Sequence, residues 1–210
     1  MRLPHGTLPV FSLVFLCLCA SAAAQQSAPV VKSLEPPVVN PGATAKLLIE
    51  GANFVPNATR LEFVEGTGVS VRELQIIDSK RLAAELVIAP SASRGLHRIA
   101  VTTPAGSNTP ATLEVLDAPV LTGITPVRGS ENTQITVTLN GTFFHPDSRL
   151  DVSGAGITVA DVTLINDTAM NATLIIAPGA RSGPRHVAVR NRAGSSGALV
   201  FQVDGGAGKS

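Results

Sequence analysis

Gln134-Ile135-Thr136-Val137-Thr138-Leu139 alternates apolar and polar residues without interruption. Successive side chains of an extended chain point to opposite faces, so Ile135, Val137 and Leu139 share one face and the threonines line the other. Leu47 and Ile49 show the same parity earlier in the chain. Leu82, Ala84, Leu86 and Ile88 line a further inward face, as do Met170, Ala172, Leu174 and Ile176. Ile99 and Val101 are matched by Val187 and Val189, and closing strands carry Leu113 and Val115 or Leu199, Phe201 and Val203. Turn clusters such as Pro41-Gly42, Glu65-Gly66-Thr67-Gly68 and Ala105-Gly106-Ser107-Asn108 lie between, with residues that accept φ > 0 or pre-set a bend. No segment reads as a convincing helix.

These segments pair because the chain is a duplication. Ala28-Pro29-Val30-Val31 matches Ala118-Pro119-Val120-Leu121, and Gly51-Ala52-Asn53-Phe54-Val55-Pro56 matches Gly141-Thr142-Phe143-Phe144-His145-Pro146. Leu86-Val87-Ile88-Ala89-Pro90 meets Leu174-Ile175-Ile176-Ala177-Pro178, and Pro104-Ala105-Gly106-Ser107 meets Arg192-Ala193-Gly194-Ser195. The offset shrinks along the chain, which places small deletions in the second copy near Ser148 and Ser153. About seven short strands in roughly 90 residues, with turn signals about every 8–12, predict an immunoglobulin-type sandwich of two sheets. The fold class is therefore all-β, two tandem immunoglobulin-like β-sandwich domains over residues 29–117 and 118–205. Leu116-Asp117-Ala118-Pro119 joins them with no flexible linker, which predicts an elongated two-module rod with limited bending.

An opening Pro-Val-x-x-x-Leu/Ile-x-Pro, an apolar strand ending Gly-x-x-Phe, an Ala-Pro stop and a late Ala-Gly-Ser turn resemble the IPT/TIG domain, and do so in both copies from Pro29 to Val203. Such immunoglobulin-like modules occur in plexins, Rel-type transcription factors and bacterial surface or polysaccharide-active proteins. The resemblance implies a fold and leaves function open, since members range from DNA-binding partners to passive spacers. The second copy departs from the pattern with Glu131-Asn132 where the first has Pro41-Gly42. A fibronectin type III module is the near alternative, but both copies lack its core Trp and Tyr.

The N-terminus reads as an export signal over residues 1–24: Met1-Arg2, an apolar run from Val10 to Ala20, and Ala22-Ala23-Ala24 before the cut. That run is too short for the roughly 20 residues of a membrane span. Cys17 and Cys19, the only cysteines, lie within it, so the mature chain would hold no disulfide, thiol nucleophile or cysteine-bound metal. Losing Arg2 from 16 basic residues leaves 15 against 15 acidic ones, a neutral balance that argues against nucleic acid. With no Trp or Tyr, the chain has few rings for stacking bases or sugars.

No enzyme is legible. Gly205-Gly206-Ala207-Gly208-Lys209-Ser210 only superficially suggests a phosphate loop, because Val203 stands where its first glycine belongs; residues 206–210 are expected to be a disordered tail. His97, His145 and His186 lack metal-ligand spacing, and neither a catalytic constellation nor a cofactor is expected. Arg185, Arg190 and Arg192 are weak candidates for an anion-recognising patch, since guanidinium pairs bidentately with carboxylates; a solvated strand with counter-charges is the plainer reading. Asn57, Asn140, Asn166 and Asn171 begin Asn-x-Thr triplets, glycan acceptors only in a eukaryotic secretory path. The expectation is a secreted, periplasmic or cell-surface binding or structural protein that contacts another protein, or itself, through sheet edges or end loops. The alternative is an accessory module that recognises an acidic polysaccharide.

Overall fold

The computed structural model describes residues 27–205, and every regular element there is a strand. The expected signal at 1–24 and tail at 206–210 lie outside the described residues. The alternating segment around Gln134 becomes β12, and each copy repeats one order of strands. The first contains β1 (Val30–Glu35), β2 (Val38–Val39), β3 (Thr44–Ala52), β4 (Arg60–Glu65), β5 (Val69–Asp78), β6 (Arg81–Ile88), β7 (Gly95–Thr103), β8 (Gly106–Ser107) and β9 (Ala111–Val115). The second contains β10 (Val120–Thr125), β11 (Arg128–Ser130), β12 (Thr133–Thr142), β13 (Arg149–Val152), β14 (Ile157–Asn166), β15 (Ala169–Ile176), β16 (Gly183–Asn191), β17 (Gly194–Ser195) and β18 (Leu199–Asp204).

Within each copy one sheet has the order β1-β3-β6-β5, or β10-β12-β15-β14. The other runs β2-β9-β7-β4, or β11-β18-β16-β13. The chain changes sheets after Glu35 and Thr125, where a proline without an N–H ends the first ladder and a parallel pairing with the last strand begins. The inward residues predicted from parity are the core. Leu47, Ile49, Leu82, Leu86, Ile99 and Leu113 are buried in the first copy, and Val137, Leu139, Met170, Leu174, Val187 and Phe201 in the second. Burying each large apolar side chain contributes about 1.5–3 kcal/mol.

The Gly-x-x-Phe motif has a packing cause. A Cβ on Gly51 would lie 2.6 Å from the Phe54 ring and collide with the Val30 carbonyl; on Gly141 it would lie 2.7 Å from Phe144 and meet Val120 in the same way. The absent side chain lets the ring cap the core against the neighbouring strand. The departure at Glu131-Asn132 preserves the turn, because Asn132 adopts φ 57° where Gly42 adopts 74°.

One pair of core positions changes in a compensated way. Val39 and Leu113 of the first copy correspond to Gly129 and Phe201 of the second, so a smaller residue faces a larger one. A Cβ on Gly129 would stand 2.7 Å from Ile176 and 3.1 Å from the Phe201 ring. Gly129→Val should therefore overpack the second module and Phe201→Leu should leave a void, each costing about 1–3 kcal/mol in denaturant unfolding. Together they rebuild the first module's pair, so the double variant should lose about 1 kcal/mol less than the sum. Phe143 holds φ 60° where the first copy has Asn53 at 63°. Phe143→Asn should raise the melting temperature, since relieving a bulky residue in the left-handed region gains on the order of 1 kcal/mol.

Candidate functional site

The register determines where each arginine candidate stands. Each module receives the chain at one end and releases it at the other. Arg185 shares parity with the buried Val187 and Val189, so it closes the core at the exit end of the second module. Its Nη1 donates to Pro184 O and its Nη2 to Arg181 O. Arg190 faces outward near the entry end, where its Nε meets Asp151 Oδ2 at 3.3 Å. Arg192 lies just beyond β16 at that entry end. The structure therefore divides the three candidates between opposite ends of one module.

Arg192 belongs to the joint between the modules. Its Nη1 lies 2.8 Å from Glu114 Oε2 and its Nη2 donates to Glu114 Oε1 at 3.2 Å, a two-pronged pairing with the first module. Its Nε donates at 2.9 Å to Asp147 Oδ2 within its own module, and its backbone N–H donates to the same oxygen. Side-chain amides complete the contact. Asn40 Nδ2 donates to Leu116 O and, across the joint, to Ala193 O, both at 3.2 Å. Asn191 is buried; its Nδ2 donates to Asp117 O, and its Oδ1 accepts the N–H groups of Ala193 and Gly194. Asp117 in turn receives Arg94 Nε at 2.8 Å. A Cβ on Gly194 would lie 3.2 Å from that of Ala118. These bonds hold the short connector Leu116–Pro119 from both sides.

Charge reinforces the geometry. Burial pushes the Asp147 carboxyl up, but the bonds from His145 and from the Arg192 backbone and guanidinium outweigh it and hold the group below the usual carboxylate range. The Asp117 carboxylate likewise raises the Arg94 guanidinium. Each exposed pair alone is worth only about 0–1 kcal/mol, whereas a shared, forked network adds specificity of angle.

The remaining candidates have local partners. His97 is buried at the exit end of the first module, at the position that Arg185 occupies in the second. His145 bonds Asp147, and the His186 backbone N–H donates to Ser153 Oγ. Asn171 Oδ1 accepts the Thr138 hydroxyl, and Asn166 Oδ1 closes its own turn on Thr168. Sequence reasoning missed Asn40, Glu114 and Asn191. Their signal is that Ser130, Gln202 and Thr103 occupy the equivalent positions in the other copy, so these three side chains are ones the repeat does not share.

Among models of known families, the IPT/TIG domain matches residues 119–203. The chain is a tandem of two immunoglobulin-like sandwiches, and the second of them is similar to the IPT/TIG domain over the matched residues. The first module carries the same strand order and sheet pairing, which makes it a structural repeat of that domain. A search of curated proteins finds no match. Solved structures with a similar fold include the Escherichia coli adhesin FdeC, at 14% identity over 86% of this chain and 65% of that one, TM-score 0.46. Titin domains I67–I69 give 15% identity over 85% of this chain and 66% of that one, TM-score 0.37. The plexin A4 extracellular region gives 14% over 94% and 20%, TM-score 0.38. The chain thus spans about two thirds of the first two and a fifth of the third.

The joint between the two sandwiches should respond to acid in one direction. The folded Asp147 carboxyl titrates below its unfolded value, near 3.9. Its contribution is full above that value and is lost as pH falls through the lowered folded one. Distances between spin labels on the two modules should stay narrow from pH 8 to about 5 and broaden below about 4. Asp147→Asn should broaden them at neutral pH and flatten the acid response.

Proposed function

We propose that this protein is a non-catalytic, exported binding or structural protein of the cell envelope or exterior that acts through protein contacts at the end of its second module. The first module and the joint hold that end at a fixed distance and angle. The observation that carries this reading is the condition of the sheet edges. Register shifts interrupt β1 between Val31 and Ser33, β4 between Phe63 and Glu65, and β5 at Val71/Glu73 and Ile76/Asp78. In the second module they interrupt β10 between Leu121 and Gly123, and β14 at Ala160/Thr163 and Leu164/Asn166. The other edges, β2, β11 and β13, are short. Bulged or short edges are poor templates for an added strand. Contacts by strand addition are thereby disfavoured, and the loops at the exit end of the second module are the better surface.

A photo-crosslinking residue at Ala155 or Ser182, in the loops at the end of the second module, should trap a protein partner in cells that make the full chain. The same probe at Gln75 or Thr158, on the edge strands, should trap far less. Cross-links running along the edges, with none at the loops, would show that the modules work by strand addition instead.

A further inference from the structure

The two modules are built alike at the exit end yet finish it differently. In the first, the Gly66–Gly68 turn is tied to the loop after β6. The Ala89 N–H donates to Gly68 O at 2.7 Å, the Ser93 N–H to Thr67 O at 3.1 Å, and the Thr67 N–H to Ser93 Oγ at 3.0 Å. His97 lies beneath, 1% exposed, with Nε2 2.7 Å from Ser93 O and 3.3 Å from the Ser93 hydroxyl. A Cβ on Gly66 would strike its ring. That end is closed.

In the second module only the first tie survives, from Ala177 N–H to Gly156 O at 2.8 Å. Ala155 replaces Thr67 and Arg181 replaces Ser93, and among the described residues no hydrogen bond joins them. Arg185 replaces His97. Its Nη2 donates to Arg181 O at 2.6 Å, while its Nε–H is buried against Gly154 with no acceptor. A buried donor without a partner is costly to keep, and His97 Nδ1 is the corresponding unpartnered nitrogen in the first module. The untied loops leave a recess of about 710 Å³, lined by Gly154, Ala155, Pro178, Arg181, Ser182 and Arg185.

Among the described residues its charge is unmatched. Elsewhere in this module Arg128 faces Asp204, Arg190 faces Asp151, and Arg192 faces Glu114 and Asp147. No carboxylate pairs with Arg181 or Arg185 among the described residues. The nearby acid, Glu131, has its Oε1 engaged by the Gly179 N–H at 2.8 Å. We infer that the recess at the exit end of the second module is an anion site in which Arg181 and Arg185 receive carboxylates of an acidic segment on a partner protein. The inference rests on the reading of that end as the contact surface and names the chemistry of the partner. A guanidinium fork matches a carboxylate in two prongs, and no aromatic ring lines the recess to stack a sugar.

Fluorescence anisotropy of a labelled hexaglutamate peptide, titrated with the purified chain at low salt, tests this. The peptide should bind, weaken as salt screens the charges, and be ignored when glutamine replaces glutamate. Arg181→Ser with Arg185→His imports the first module's own pair and should weaken binding about tenfold while melting near the wild-type temperature, since two exposed Arg–carboxylate pairs worth up to about a few-fold each together reach that factor. Should that variant unfold, Arg181→Ser alone, an exposed change, should still weaken binding several-fold. Arg98→Gln in the first module should leave it unchanged. Equal binding by wild type and Arg181→Ser would overturn the inference, as would binding of a sulfated oligosaccharide in place of the peptide. Cross-linking at Ala155 that ignores both arginine substitutions would overturn the anion site while leaving the contact surface in place.

Discussion

The Arg192 guanidinium reaches Glu114 of the first module with one edge and Asp147 of its own module with another, and the mutual placement of the two sandwiches depends on this bridge. Two β-sandwiches joined by four residues could meet at many angles. The bridge, with Asn40 on Ala193 O and Asn191 on Asp117 O, supplies the directional bonds that select one. Directionality matters more here than strength, because exposed ion pairs contribute little individually while planar, forked donors restrict geometry. None of the side chains that make these bonds recurs at the matching place in the other copy. Among the described residues the chain therefore has one joint of this kind.

That divergence is clearest at the exit ends. The first module's exit end abuts the joint and is closed by the Ser93–Thr67 ties over a buried His97. At the second module's exit end the Ser93–Thr67 ties have no counterpart among the described residues, and two arginines stand in place of Ser93 and His97. The edge strands are interrupted by bulges in both copies, while the exit ends differ in their ties and their charges. The scaffold is repeated; the chemistry is not.

Much of the fold was legible because it depends on local periodicity. Parity alone located Leu47, Ile49, Val137, Leu139 and their partners, and the Gly-x-x-Phe and turn motifs followed from sterics within a few residues. The exchange of Val39 and Leu113 for Gly129 and Phe201 was not legible, since it requires knowing which strands face each other across the parallel pairing. Arg192 looked like part of a patch with Arg185 and Arg190 because they are close in sequence. Its partner Glu114 is 78 positions away, and the length of β16 separates it from Arg185. The inward parity of Arg185 with Val187 was available and pointed to the end of the core.

Residual dipolar couplings measured on the mature chain test the fixed joint most directly, because they report the orientation of each module separately. Both modules should fit one alignment tensor at neutral pH, with the orientation described by the Arg192–Glu114 and Asn40–Ala193 contacts, and Arg192→Ala with Asn40→Ala should split that tensor in two. Unequal tensors in the unmodified chain, or one tensor that survives the loss of Arg192 and Asn40, would contradict the account.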